Sequence, residues 1–343
     1  MSMRVAMYYN NSDVRVEEIP VPGIGPGELL MRVEASGVCG SDVMEWYRVP
    51  KAPLVLGHET TGEVVEVGEW VHKFKPGDRV VATHHVPCNT CYYCLRGNHS
   101  ACKTLRSTHF DPGGFSEFVR VPAINVDRGV FKLPDEVSYE EGSLVEPLGC
   151  VVRGQRVAGF TPGSSVLVMG SGMTGLLHIQ LAIAQGAGRV IATDINDARL
   201  KAAREFGADM AIDAREDIPS IVREANEGRM ADLVVVCTGA PSALTDSFTL
   251  VEPGGSLLMF APSDPGVKLS IPFNDLWWRG IRVVSSYAAA PADLMLALEF
   301  IRARRVRVRE MITHRLPLDG TGAAFQMVER AQDSIKVIIE PQK

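Results

Sequence analysis

Short apolar runs broken by Gly and Pro occupy residues 1 to about 150, among them Leu29–Val33 and Gly62–Val67. Runs this short, set between turn residues, predict an antiparallel, barrel-like β region. The pattern changes at about residue 152. Four apolar runs follow, at Ser165–Met169, Arg189–Thr193, Asp232–Cys237 and Ser256–Phe260. Between them lie stretches of helical character such as Met173–Gln185 and Asp197–Phe206. This alternation predicts βαβ units around a parallel sheet. After about residue 286 a helix over Ala292–Arg304 and a final strand over Lys336–Ile339 are expected. No repeat and no low-complexity tail interrupts the pattern.

A length of 343 residues is more than one core usually serves, so two domains are expected. The net charge of -6 argues against a nucleic-acid partner, which needs a basic face. The basic run Arg302 to Arg309 alternates with Ala and Val and reads as a solvated helix end or strand edge. The first residues are polar and no apolar run reaches the length of a membrane span, so no membrane partner and a cytoplasmic location are expected. Of seven cysteines, four crowd between Cys88 and Cys102. In a reducing compartment such crowding points to metal rather than disulfides.

Ser165–Met169 is followed directly by Gly170-Ser-Gly172-Met173-Thr174-Gly175, which opens a helix. In that setting the three glycines serve a dinucleotide: a tight turn, close approach of backbone to pyrophosphate, and close helix–strand packing. The helix N-terminus offers amide groups to the phosphates. Arg189–Thr193 then ends in Asp194, which can accept from the adenine ribose hydroxyls and would repel a 2′-phosphate. NAD is therefore expected. Arg199 and Lys201 follow and can neutralise a phosphate, which keeps NADP open.

The spacing Cys88-x2-Cys91-x2-Cys94-x7-Cys102 supplies four soft ligands, suited to a closed tetrahedral Zn²⁺ site that folds a loop. An iron–sulfur cluster ranks below zinc, and His99 is a bystander within the loop. Three other segments hold competent zinc ligands: Gly37-Val-Cys39-Gly-Ser41-Asp42, Gly57-His58-Glu59 and Val145-Glu146-Pro147. Spacing alone does not show that they converge.

Gly57-His-Glu-x2-Gly62-x5-Gly68-x2-Val71, followed by Lys75-Pro-Gly-Asp-Arg-Val80, resembles the zinc signature of the medium-chain alcohol dehydrogenases. Cys39-Gly-Ser-Asp42, the four-cysteine lobe and Glu146-Pro-Leu148 fall in that family's order, and the resemblance spans nearly the whole chain. Within the family the chain looks most like the sorbitol and polyol dehydrogenases. The resemblance implies an α/β architecture: a GroES-like, β-barrel-type catalytic domain (residues 1–151 and 287–343) around a doubly wound Rossmann domain (152–286). The active cleft is expected between the domains. It further implies a catalytic zinc on Cys39, His58 and a carboxylate, Glu59 or Glu146, and a structural zinc on the four clustered cysteines. Ser41 matches the hydroxyl that takes the alcohol proton. Cys237-Thr238-Gly239 resembles the turn beside the nicotinamide, and Trp46, Tyr47 and Tyr287 resemble pocket-lining positions. A homodimer or homotetramer is also implied. The expected reaction passes hydride from a secondary alcohol to NAD, giving a ketone.

Two positions depart from the family pattern. Met44 stands where a histidine usually continues the proton relay, so the relay must end in cofactor ribose, Glu45, Glu59 or water. Arg153 stands where polyol enzymes often carry His after Glu-Pro-Leu, and an arginine favours an anion. Cys150, one helical turn past Glu146, reads as a small buried hydrophobe. His84 and His85 follow a strand and suggest a pocket wall. The rival readings are a threonine-, glucose- or sugar-phosphate-type dehydrogenase of the same fold, a zinc-stabilised nucleotide-binding protein without turnover, and a zinc-free quinone reductase.

Overall fold

A computed structural model describes residues 1–343. Eight strands precede residue 150: β1 (Ser2–Asn10), β2 (Asp13–Pro20), β3 (Leu29–Gly37), β4 (Leu54–Val55), β5 (Glu59–Val67), β6 (Arg79–Thr83), β7 (Phe118–Val121) and β8 (Val130–Lys132). Six follow: β9 (Ser165–Met169), β10 (Arg189–Asp194), β11 (Met210–Asp213), β12 (Ala231–Val236), β13 (Val251–Met259) and β14 (Arg282–Ser285). Two close the chain, β15 (Ile312–Pro317) and β16 (Lys336–Glu340). The chain divides into two compact units. One is Met1–Gly149 with Ala289–Arg304 and Val308–Lys343; the other is Cys150–Ala288 with Arg305–Arg307.

In the first unit β2-β1-β4 form a small antiparallel sheet, and a larger one runs β15-β16-β3-β5-β6-β8 with β7 also against β3. Leu29, Met31 and Val33 of β3 point into a core shared with Val64, Val80, Ala82, Val119 and Val121. Burying each such side chain contributes about 1.5–3 kcal/mol before entropy is counted. Register then does the positioning. Gly37, the last residue of β3, lies opposite Glu59 on one side and Ile338 on the other. Glu59 in turn lies opposite Thr83. The start of β5, the start of β16 and the end of β3 therefore meet at one end of the sheet.

The second unit holds one parallel sheet, in the order β11-β10-β9-β12-β13-β14. Every residue of β9 is buried, as a strand covered on both faces requires. Strand order reverses between β9 and β12, and ligands of doubly wound sheets bind at such a reversal. The basic run is a helix end: Arg302 closes the Pro291–Arg302 helix and pairs with Glu299, Arg304 binds Glu141, and Arg307 donates to the Glu205 carbonyl. No helix is long and apolar enough to cross a membrane.

Candidate metal centre and dinucleotide site

Cys39 follows the end of β3, His58 immediately precedes β5, and Glu59 opens it. One donor atom from each lies within 4.8 Å of the other two. Thiolate, imidazole and carboxylate together are a zinc donor set, with bonds of about 2.0–2.3 Å. His58 Nδ1 faces Asp42 Oδ1 at 3.4 Å, so Nε2 is the nitrogen that could ligate a metal. Asp42 is fully buried and also accepts from the Cys39 backbone N–H at 3.0 Å and from Arg48 at 3.3 Å. Burial by itself would raise the Asp42 carboxyl; His58, Arg48 and the Cys39 amide outweigh it and hold it below its ordinary value. Burial would likewise lower His58, but Asp42 and Cys39 lift it well above 6.5. A metal ion would take the place of that proton.

Glu59 is buried, and its two oxygens differ. Oε2 accepts from the Lys336 ammonium, which also donates to the Val38 carbonyl at 3.0 Å. Oε1 is buried with no hydrogen-bond partner among the protein atoms, an arrangement that a metal ligand explains. Gly37 is required here for space: a Cβ would collide with the Glu59 carboxylate and the Lys336 ammonium. Ser41 Oγ accepts from Arg48 Nη2 at 3.2 Å, and Arg48 Nε binds the Ser41 carbonyl at 2.9 Å. Glu45 accepts from the Asn11 amide at 3.0 Å. Glu146 lies 9% exposed in the first turn of the Val145–Val157 helix and is not one of the three clustered donors. Arg153, in the same helix, is 4% exposed. Trp46 and Tyr287 are about half exposed and belong to different units.

Asp42 as the partner of His58, Arg48 over Ser41, and Lys336 beside Glu59 escape the sequence reading. Lys336 alone leaves a trace there, as a charged residue heading the otherwise apolar run Val337–Ile339.

Cys88, Cys91, Cys94 and Cys102 also bring their sulfurs within 4.8 Å of one another. Cys91 Sγ and Cys94 Sγ stand 3.6 Å apart, and Cys88 Sγ and Cys94 Sγ 4.0 Å. A tetrahedron of Zn–S bonds near 2.3 Å sets its sulfurs about 3.8 Å apart, so the four thiols fit that ion. The amides of Cys88 and Cys91 point at Cys102 Sγ and Cys88 Sγ, at 3.4 and 3.3 Å.

In the second unit each glycine of the turn has its own reason. Gly170 adopts φ 94°, the left-handed region that favours glycine. A Cβ on Gly175 would collide with the Gly170 carbonyl, so helix and strand pack with no room for a side chain. Gly172 faces open space; the nearest atom to a Cβ there would be the Arg199 guanidinium carbon at 4.0 Å. The Met173–Ala184 helix starts at Gly172 without a side-chain cap, so its first amides remain available to phosphate. Thr174, in the first turn of that helix, hydrogen-bonds the Cys237 thiol, and the Cys237 amide donates to Met169 at 2.8 Å. Burial pushes the Cys237 thiol up to about 12. The Thr238 hydroxyl accepts from the Ala240 amide at 3.2 Å, tightening the turn after β12. Asp194, 6% exposed, accepts from the Ser171 and Asn196 amides at 2.8 and 2.9 Å, and Arg199 stands 3.9 Å from it.

Residues 25–135 match the alcohol dehydrogenase GroES-like domain, and residues 174–303 match the zinc-binding dehydrogenase domain. The sorbitol dehydrogenase of Gallus gallus is 33% identical over 339 residues, covering 96% of this chain and 93% of that protein. The sorbitol dehydrogenase of Bacillus subtilis is 31% identical, covering 100% and 98%. A structure described as a zinc-binding dehydrogenase of Sinorhizobium meliloti bound to NADP superposes with TM-score 0.89 at 28% identity, covering 99% of this chain and 100% of that one. With both domain types in order and this similarity along the whole chain, the protein belongs to the zinc-dependent medium-chain alcohol dehydrogenase family and is an oxidoreductase that uses Zn²⁺ and a nicotinamide dinucleotide.

Proposed function

We propose that the protein oxidises the secondary hydroxyl of a polyol or sugar alcohol to a ketone, with NAD as hydride acceptor. The observation behind this reading is the mixed donor group Cys39, His58 and Glu59, in which Glu59 Oε1 is buried and unpartnered. Bound zinc would supply the Lewis acidity that makes a substrate hydroxyl easier to deprotonate, and bound NAD would take the hydride. The protein's own groups then have separate tasks. Asp42 fixes the tautomer and ring plane of His58. Lys336 balances the charge of Glu59 in a buried setting. Ser41, held by Arg48, takes the alcohol proton at Oγ and passes its own onward; Met44 cannot accept it, so water does. The four clustered cysteines hold a second zinc that folds their loop, since four thiolates leave no open position.

NAD is favoured over NADP because a 2′-phosphate would face the Asp194 carboxylate, with Arg199 compensating only in part. A homodimer or homotetramer is supported by the open edge of the parallel sheet. Just before β14 in the chain, an edge strand whose Val283 is half exposed, the Phe273–Arg279 helix presents Phe273, Trp277 and Trp278 to solvent. Aromatics this exposed mark association surfaces. All seven cysteines are unbridged, consistent with a reducing cytoplasm.

The test is reduction of NAD and of NADP by zinc-replete protein with polyols, simple secondary alcohols and hydroxy acids. NADH formation with a polyol supports the reading. No reduction with any alcohol contradicts it.

A further inference from the structure

Arg48 engages Ser41 and Asp42 at once. Its Nε donates to the Ser41 carbonyl at 2.9 Å, and its Nη2 donates to Ser41 Oγ at 3.2 Å. The same Nη2 donates to Asp42 Oδ1 at 3.3 Å, the oxygen that stands 3.4 Å from His58 Nδ1. One planar guanidinium thereby ties the Ser41 hydroxyl to the carboxylate that orients His58. The Arg48 side chain is 14% exposed and that of Asp42 is 0% exposed, so solvent does little to screen the contact.

The local fold explains this reach. Gly40–Val43 forms one 3-10 turn, Met44 interrupts it with ψ 88°, and Glu45–Arg48 forms one α turn. The Arg48 amide donates to the Met44 carbonyl at 3.0 Å. Helical side chains lean toward the N-terminus, so Arg48 leans back over the segment before Met44. Asn11 braces the turn from outside. Its backbone amide donates to Glu45 Oε1 at 3.0 Å, and its Nδ2 donates to the Val43 carbonyl at 2.9 Å and to Glu329 Oε1 at 2.8 Å. Tyr8 completes the brace by donating to Asn11 Oδ1 at 3.0 Å.

A serine hydroxyl has one hydrogen and two lone pairs. Arg48 occupies one lone pair, and a guanidinium only donates, so it takes no proton itself. One lone pair and one O–H remain on Ser41. A relay that passes a proton through needs those two. The lone pair receives the alcohol proton while the O–H hands its own to water, and Ser41 ends uncharged. Without the guanidinium the hydroxyl is free to turn among its rotamers.

We propose that Arg48 is the positioning residue of the proton relay: it locks Ser41 Oγ and Asp42 Oδ1 to one guanidinium, so that the proton acceptor and the His58 ring keep a common register. The proposal rests on the dehydrogenase reading above, in which Ser41 takes the alcohol proton, and adds that Ser41 works only while Arg48 holds it.

The experiment is a double-mutant cycle in the zinc-loaded protein: wild type, Arg48→Ala, Ser41→Ala and the two together, with a hexitol and NAD. Zinc per chain and thermal melting are measured for each. Arg48→Ala should lower kcat by about 10–100-fold with KM within about threefold of wild type, since a misplaced group costs rate more than binding. It should keep the wild-type zinc content and regain turnover in dilute, non-denaturing guanidinium chloride. The double variant should turn over no more slowly than Ser41→Ala, and guanidinium should not rescue it, because residues that act as a unit are non-additive. Arg48→Lys should stay slow, since an ammonium cannot fork across Ser41, and it reports even where Arg48→Ala folds poorly. Fold losses that multiply in the double variant, full turnover in Arg48→Lys, or zinc loss without rescue in Arg48→Ala overturn the proposal and leave the dehydrogenase reading intact. A wild type that reduces NAD with no alcohol, or a Ser41→Ala protein as fast as wild type, overturns the relay reading beneath it instead.

Discussion

Lys336 and Glu59 form a buried ion pair across 277 residues of sequence, with side chains only 1% and 0% exposed. Their strands do not pair directly; both flank β3, and the opposition of Gly37 to Glu59 and Ile338 brings them together. A glycine between them leaves the space in which carboxylate and ammonium meet. The pair sets the charge of the donor group while leaving Oε1 of Glu59 uncommitted.

Replacing Lys336 with Met should destabilise the chelator-treated protein by about 3–5 kcal/mol, the cost of stranding a buried carboxylate. Denaturant unfolding of wild type and variant measures this. The double variant Lys336→Met with Glu59→Gln should recover part of the loss. A change below about 1 kcal/mol would mean the pair is more solvated than its burial indicates.

Gly172→Val should leave stability nearly unchanged, within about 0.5 kcal/mol, since the position has ordinary φ and faces open space. Its Cβ and methyl groups occupy the approach of the pyrophosphate, so NADH affinity should fall at least about tenfold. NADH fluorescence titration beside thermal melting separates the two effects. Unaltered NADH binding would move the dinucleotide elsewhere.

The sign of a third expectation comes from Glu141. It caps the Tyr139–Ser143 helix through Ser138 and pairs with Arg304. Burial would raise its carboxyl, but the Ser138 amide and the Arg304 guanidinium hold it below 4.5. A depressed carboxyl stabilises the fold above its unfolded value, and that stabilisation is lost as pH falls through its folded value. Glu141→Gln should therefore cost about 1–2 kcal/mol near neutral pH and progressively less below about pH 4.5. A gap between wild type and variant that stays constant from about pH 7 to about pH 3 would show the pairing is not ionic.

Much of this was legible in the sequence because the signals are local. The glycine turn, the acid that ends the next strand and the four cysteines each lie within a few residues, where one turn or loop imposes the spacing. The fold class was legible for the same reason: the change from Gly- and Pro-broken runs to strand–helix alternation follows the change from antiparallel to parallel sheet. Boundaries were less so. The run at Leu29–Val33 extends as a strand to Gly37, and the strand read from Gly62 begins at Glu59, where polar and glycine residues are carried by register rather than by their own hydrophobicity. Lys336 and Arg48 act through partners that only the three-dimensional pairing supplies. Glu146 and Glu59 looked equivalent as carboxylates, yet the fold gathers only Glu59 with Cys39 and His58 in the clustered group.

The central claim is that two donor groups hold two different zincs, of which the Cys39, His58 and Glu59 group performs the chemistry. The most direct measurement is zinc per chain by mass spectrometry, alongside NADH formation with a polyol, in wild type, Cys39→Ser and Cys94→Ser. The account predicts two zincs in wild type and one in each variant, with turnover abolished in Cys39→Ser and thermal stability reduced in Cys94→Ser. A Cys39→Ser protein that keeps both zincs and its turnover would contradict it.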